Sequence, residues 1–111
     1  MSFTIRKDPK GVVIVGVDGQ LIVSNRHELK QKVLDAVADG ERKVLVDFAE
    51  TGYIDSSGLG VLVSLSKRLR EEGGELRLSG LNDDLRMLFE LTKLDTLFNI
   101  TDSADEALAS F

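Results

Sequence analysis

Residues 53–63 read YIDSSGLGVLV, and this stretch places an acid, two adjacent hydroxyls and two glycines where a strand is expected to end and a helix to begin. Leucines recur at helical spacing over residues 59–69, so the helix is expected to begin near the two serines. Glycine costs a helix about 1 kcal/mol relative to alanine, so Gly58 and Gly60 need a physical reason. We interpret both as opening the backbone of the first turns to close approach from outside.

Strands and helices alternate along the rest of the chain. The β-branched runs at residues 12–17 (VVIVGV) and 44–48 (VLVDF) predict two central strands. An amphipathic helix is predicted between them at residues 28–39, where Gly40 is placed to end it. Further on, the pattern predicts a strand at 75–79, a helix at 83–92, a short apolar segment at 97–100 and a last helix that begins at residue 102 or 103.

This order of elements predicts an α/β domain with a mixed sheet. Residues 3–6 favour an edge strand, and the turn at residues 8–11 (DPKG) would join it to the next strand as a hairpin. The strand, helix, strand units that follow favour right-handed crossovers. The sequence has 111 residues and no linker-like segment, so one domain over residues 1–111 is expected.

Composition argues against several classes of function. The chain has no cysteine and one histidine, so disulfides, thiolate metal sites and Cys-His pairs are excluded, and no metal or cofactor is expected. Its net charge is -5 without a basic run, so nucleic acid is not an expected partner. No segment has the length and apolarity of a signal peptide or a membrane span, so we expect a cytoplasmic protein with no membrane partner.

Catalysis finds little support in the residues. His27 alone could serve a Ser-His arrangement, and its predicted place in the first turn of the first helix favours an ordinary polar role. The GLG at residues 58–60 could begin a dinucleotide-binding motif, but Val63 stands where the last glycine belongs. Ser56 has only one of the two flanking glycines of a nucleophile elbow. We expect no enzyme, and an enzyme or nucleotide-binding domain remains the third hypothesis.

The remaining candidate for function is a serine that accepts a group or a partner. Asp55, Ser56 and Ser57 offer three polar side chains where a helix N-cap needs only one. One of them is expected to cap the helix, which is the purely structural interpretation of the motif. At least one other is then expected to face solvent or a partner.

A helical wheel extends this surface along the helix. With the core direction fixed by Leu62, Leu65 and Leu69, Gly60 and Ser64 fall on the opposite side. Val61 falls on a flank and is therefore predicted to be partly exposed. A single exposed valine is ordinary in proteins, but beside a glycine and a free hydroxyl it suggests the edge of a docking surface.

The quoted residues resemble the sulfate transporter and anti-sigma antagonist (STAS) domain, and specifically the bacterial anti-sigma factor antagonists. The similarity runs through KVLVDF at 43–48, YIDSSGLGVLV, GGELRLSGL at 73–81 and LFELTKLDTLFNITDSADEAL at 88–108. The resemblance implies a single STAS-like α/β domain. Its mixed sheet would have four to five strands, with about four helices packed mainly to one side.

The resemblance also implies a partner switch. The unphosphorylated protein would bind an anti-sigma factor that has serine kinase activity, and a sigma factor would thereby be released. The kinase would phosphorylate Ser56, with Ser57 the lesser candidate, and a serine phosphatase would reverse the reaction. Contacts with the partner are expected at Asp55, Ser57, Gly58, Gly60, Val61, Ser64, Ile22, Val23, Ser24 and Asn25.

One position departs from the family's motif. Ile22 stands where an aspartate is common, which changes the charge near the predicted phosphoacceptor. Asn25 is expected to cap the first helix. The second hypothesis is a STAS scaffold subunit that is never phosphorylated and stays bound in a larger regulatory complex, its serines serving only as helix caps.

Overall fold

The computed structural model describes residues 3–111. Within this range, seven strands and four α-helices follow one another, with one short 3-10 helix at Leu94–Thr96. The strands are β1 (Phe3–Lys7), β2 (Val13–Val17), β3 (Gly19–Leu21), β4 (Lys43–Asp47), β5 (Thr51–Ile54), β6 (Glu75–Ser79) and β7 (Asn99–Thr101). The helices are α1 (Arg26–Ala38), α2 (Ser56–Glu71), α3 (Asp83–Leu91) and α4 (Ala104–Ser110).

The main sheet has five strands in the order β1-β2-β4-β6-β7. β1 runs antiparallel to β2, whereas β2, β4, β6 and β7 are parallel to their neighbours. The β-branched runs form the middle of this sheet, because a strand covered on both faces is stabilised by continuous apolar residues. The predicted mixed sheet and its N-terminal hairpin are confirmed.

Helices cover the two faces of the main sheet unequally. Val13, Val15 and Val17 of β2 point into the larger core with α1, α2 and α3, because alternate residues of a strand face opposite sides. Ile14 of β2 and Ala107 of α4 belong to a smaller cluster on the other face of the sheet. The prediction of about four helices packed mainly to one side is therefore confirmed, with three on one face and one on the other.

β3 and β5 form a second, two-stranded parallel sheet that the sequence did not predict. β3 is three residues long and exposes Gly19 and Gln20, so it has no hydrophobic periodicity to detect. Leu21 pairs with Ile54, and both side chains are buried. Because the two strands are parallel, the segments that follow them begin side by side.

The helix ends agree closely with the sequence patterns. α3 begins at Asp83 as predicted, and α1 begins two residues before the predicted start at residue 28. Ser103 caps α4 by accepting a hydrogen bond from the N–H of Glu106, 3.2 Å away. None of the helices within residues 3–111 has both the length and the apolar character needed to cross a membrane.

Candidate functional site

The predicted site forms where two loops meet at the N-terminus of α2. The end of β3 leads into residues 22–25, and the end of β5 leads into Asp55. The N–H of Asp55 donates to the carbonyl oxygen of Leu21 at 3.1 Å, which continues the pairing of β3 with β5. The small second sheet therefore brings together the two sequence segments that were predicted to bind a partner.

Asp55 joins these segments through its carboxylate. Its Oδ1 accepts hydrogen bonds from the N–H of Gly58 at 2.8 Å and from the hydroxyl of Ser57 at 2.6 Å. Its Oδ2 accepts from the N–H of Val23 at 3.0 Å. Asp55 is thus the N-cap of α2 and also fastens the loop after β3 to the start of that helix.

These hydrogen bonds favour the ionised form of Asp55. The bond from the Ser57 hydroxyl, followed by that from the Gly58 N–H, holds the pKa of the Asp55 carboxyl below its ordinary value of 3.8. Desolvation acts in the opposite direction and is outweighed. A carboxylate that is charged at neutral pH therefore stands directly beside Ser56.

The two serines differ in what their hydroxyls do. Ser57 is half-buried and donates to Asp55, so its hydroxyl is occupied within the fold. Ser56 is exposed at the first position of α2, and its hydroxyl makes no hydrogen bond to any residue in the described range 3–111. Of the two hydroxyls, the one at Ser56 is available to another molecule.

The two glycines of α2 also differ, and the expectation that both open the helix to the outside is wrong for Gly58. A Cβ added at Gly58 would lie 2.6 Å from the carbonyl oxygen of Leu21 and 3.0 Å from Cγ2 of Ile54. Gly58 is buried because the helix packs closely on β3 and β5, so the approach comes from within the protein. Gly60 is exposed, and no neighbouring atom of the described chain lies within 4 Å of the corresponding position.

Val61 corrects the helical-wheel prediction. Its side chain is only 4% exposed and belongs to the larger core, so the predicted partial exposure is wrong. The wheel was fixed on leucines that face the sheet, whereas α1 covers the adjoining flank of α2 and buries that side as well. Val61 and Gly58 are therefore both buried and do not form part of the exposed surface of α2.

An exposed stripe runs along α2 from the free serine. Ser56, Gly60 and Ser64 are spaced four residues apart and are all exposed, so they lie on one side of the helix. All three are small, which lets another surface approach the helix backbone closely. The placement of Gly60 and Ser64 opposite the core is confirmed.

The loop after β3 is held by Asn25 from the inside. The Oδ1 of Asn25 accepts from the N–H of Ile22 at 2.9 Å, and its Nδ2 donates to the carbonyl oxygen of Gln20 at 2.9 Å. Asn25 occupies the N-cap position of α1 without forming a side-chain cap, so the predicted capping bond is wrong. Its side-chain amide can donate and accept at once, and here its partners are the carbonyl of Gln20 in β3 and the N–H of Ile22 in the loop.

This arrangement decides which residues of the loop face outward. Ile22 is half-buried, while Ser24 is exposed. Val23 is 62% exposed even though its backbone is bonded to Asp55. The loop therefore exposes Val23 and Ser24, and the bond from Val23 to Asp55 joins it to the N-terminus of α2.

The structure adds residues that the sequence did not assign to this site. A cleft between β5, the start of α2, and α3 includes Ser56 together with Tyr53, Asp84 and Leu88. Tyr53 stands next to the motif in the sequence, but no periodicity indicated that α3 would reach the same place. We call this feature the α3 cleft.

The structure does not strengthen the hypothesis of an enzyme. The GLG segment lies inside α2, where the N–H of Gly58 and the N–H of Leu59 are already bonded to Asp55. His27 is exposed in the first turn of α1, as predicted. Within residues 3–111, no group of three or more His, Asp or Glu side chains is arranged to hold a metal ion.

The chain is similar to proteins of a known family over most of its length. The family model described as the STAS domain matches residues 5–107. BtrV of Bordetella bronchiseptica, named as an anti-sigma factor antagonist, is 33% identical over 101 residues, covering 91% of this chain and 87% of its own. The anti-sigma-B factor antagonist of Staphylococcus aureus is 33% identical over 91 residues, covering 82% of this chain and 84% of its own. A crystal structure from Thermotoga maritima superposes with a TM-score of 0.90 at 29% identity, over 97% of this chain and 92% of that one.

Proposed function

This chain belongs to the STAS domain family, and from that premise we propose that it is an anti-sigma factor antagonist whose binding is switched off by phosphorylation of Ser56. In the unmodified state it binds an anti-sigma factor that has serine kinase activity and thereby releases a sigma factor. The kinase phosphorylates Ser56 and a serine phosphatase restores it. The cycle takes place in the cytoplasm.

The observation that carries this proposal is the difference between the two serines. The Ser56 hydroxyl is exposed and makes no hydrogen bond within the described chain, whereas the Ser57 hydroxyl donates to Asp55 at 2.6 Å. A kinase needs a hydroxyl that can enter its active site without first breaking the substrate's fold. Ser56 meets that requirement, and Ser57 does not.

The surface around Ser56 suits contact with a protein. The exposed stripe of Ser56, Gly60 and Ser64 permits close approach to α2. Val23 adds an exposed apolar side chain on the neighbouring loop, and Asp55 holds that loop in place. We assign the partner contact to this combined surface, with Gly58 and Val61 supporting it from beneath.

Adding a phosphate here should break the contact. The group brings a charge of about -1.5 to -2 with its hydration shell to a position next to the ionised Asp55. The positive end of the α2 dipole favours an anion, but that effect is worth only about 0.3–1 kcal/mol at an exposed site. Burying the phosphate against a partner removes its hydration, which costs several kcal/mol. A loss of about 3 kcal/mol would weaken binding roughly a hundredfold.

The test uses three single substitutions and an anti-sigma factor kinase that binds the unmodified chain. In the presence of ATP, Ser56→Ala should remain bound to the kinase, while the wild type is phosphorylated and released. Ser56→Asp should bind weakly without ATP. Ser57→Ala is the matched control: it loses the bond to Asp55 but should still be phosphorylated and released in the presence of ATP, because the Ser57 hydroxyl takes no part in the transfer.

Two results would count against the proposal. Phosphate found at another residue, with both Ser56 variants bound equally well, would reject Ser56 as the switch. Recovery of only the unmodified chain from cells in every growth state, always in one stable complex, would favour the scaffold hypothesis.

A further inference from the structure

The α3 cleft has a volume of about 460 Å³ and opens beside Ser56. Its walls are mainly apolar and come from three elements: Tyr53 of β5, Leu59 of α2, and Leu85 and Leu88 of α3. The cleft therefore continues the surface around Ser56 onto a helix that lies outside the YIDSSGLGVLV motif.

Two elements that wall the cleft carry exposed apolar side chains. Tyr53 of β5, which lines the cleft, is 57% exposed. On α3, Met87 is 58% exposed and Leu91 is 76% exposed, and both lie on the surface of the helix outside the lining of the cleft. Large apolar groups grouped at a surface indicate a binding site more often than isolated ones do.

The rim of the cleft is acidic. Asp55 and Asp84 are among its lining residues, and no lysine or arginine is. The nearest cation along α3, Arg86, is paired with Asp102 at 2.6 Å, so its charge is already compensated. Neither Asp55 nor Asp84 forms a salt bridge within residues 3–111, and an apolar cleft bordered by negative charge complements an apolar group bordered by positive charge.

We propose that the α3 cleft receives an apolar side chain of the partner protein that is flanked by lysine or arginine. This inference rests on the proposed function, since the occupant is the same anti-sigma factor that contacts Ser56. It adds a second contact region, so binding depends on β5 and α3 as well as on the N-terminus of α2. The side chain in the cleft would act as the apolar anchor, and the basic residue would face Asp84.

A basic partner remains compatible with release on phosphorylation. Attraction between the phosphate and exposed cations is weakened by water and salt. The phosphate on Ser56 would also sit in the contact itself, where it must lose hydration and where its bulk separates the two surfaces. The second effect is the larger, so the partner leaves although its charge is opposite to that of the phosphate.

The experiment measures the dissociation constant for the anti-sigma factor that the unmodified chain binds, at low and high salt. Tyr53→Ala removes the exposed aromatic wall, and Asp84→Lys reverses one rim charge; each should weaken binding about tenfold. The matched controls are Ile5→Ala, an apolar side chain 50% exposed on β1, and Asp105→Lys, an acid in the first turn of α4 as Asp84 is in α3. Both controls should bind within about twofold of the wild type. Thermal unfolding of each variant verifies that the fold is retained.

The possible outcomes separate this inference from the proposed function. Wild-type affinity in Tyr53→Ala and Asp84→Lys, together with weak binding by Ser56→Asp, would overturn the α3 cleft and leave the switch in place. Self-association of the unmodified chain that Tyr53→Ala abolishes would also overturn it, with a second copy as the occupant. Absence of binding by the wild type would reject the proposed function and the cleft with it. Binding of the wild type should also weaken as the salt concentration rises, and Asp84→Lys should show a smaller salt dependence.

Discussion

Replacing each of the two glycines of α2 by alanine should give opposite effects on stability. Alanine favours a helix over glycine by about 1 kcal/mol, and this gain applies to both positions. At Gly60 the new methyl group meets no neighbouring atom of the described chain within 4 Å, so Gly60→Ala should stabilise the protein by about that amount.

At Gly58 the same methyl group collides with the second sheet. It would lie 2.6 Å from the carbonyl oxygen of Leu21, and a backbone atom cannot yield as the end of a side chain can. Overpacking of this kind costs about 1–3 kcal/mol. Because the helix gain is common to both variants and cancels in their difference, Gly58→Ala should be less stable than Gly60→Ala by about 1–3 kcal/mol.

Urea unfolding at equilibrium measures this difference directly. With a slope of about 1–3 kcal/mol/M for a small protein, the midpoints of the two variants should differ by about 1 M. Binding should follow the reverse order. Gly60→Ala adds bulk to the exposed stripe and should weaken the partner contact while the fold becomes more stable, whereas folded Gly58→Ala keeps the stripe intact. Equal midpoints for the two variants would refute the close approach of α2 to β3 as the reason for Gly58.

Three further predictions concern the residues that hold the site and the core. The pKa of Asp55 is lowered in the folded state, so its charge stabilises the fold above about pH 3.8, and this stabilisation is lost as the pH falls below that value. The urea midpoints of the wild type and Asp55→Asn should therefore converge in acid. A constant difference between the two midpoints down to low pH would contradict the hydrogen bonds assigned to Asp55. Asn25→Ala should speed amide hydrogen exchange at Ile22 with a cost of about 0.5–1.5 kcal/mol, while the control Asn82→Ala, which removes the α3 cap, should leave that amide unchanged. Phe89 is fully buried and packs edge-to-face on Phe98, with 5.9 Å between the ring centroids. Phe89→Ala should therefore lower the free energy of unfolding by about 3–5 kcal/mol. A loss below about 1 kcal/mol would show that Phe89 is not part of a closely packed core.

Much of the fold could be predicted because its long elements have strong periodicity. The runs at residues 12–17 and 44–48 read as central strands, and both are buried in the main sheet. β3 could not be found in this way, because three residues with two exposed positions have no pattern of their own. Its pairing with β5 depends on tertiary contacts, and it is this pairing that aligns the two loops of the site.

The site shows the same division between local and tertiary causes. The capping role within the Asp55 motif follows from local geometry and could be predicted. Val61 was misplaced because a helical wheel assumes one buried face, whereas α2 is covered by the sheet and by α1. Gly58 was misinterpreted because a sequence cannot tell whether the close neighbour of a glycine comes from inside or outside the fold. Asn25 occupies the expected N-cap position, but its side-chain amide bonds to Gln20 and Ile22, which precede it, instead of to the first turn of α1.

A phosphate on Ser56 should break a contact that the unmodified hydroxyl permits. The most direct measurement is the dissociation constant of the anti-sigma factor for the unmodified chain and for the same chain phosphorylated at Ser56, under identical salt and pH. We predict that the phosphorylated form binds about a hundredfold more weakly while unfolding at nearly the same temperature. Equal affinity of the two forms would contradict the account.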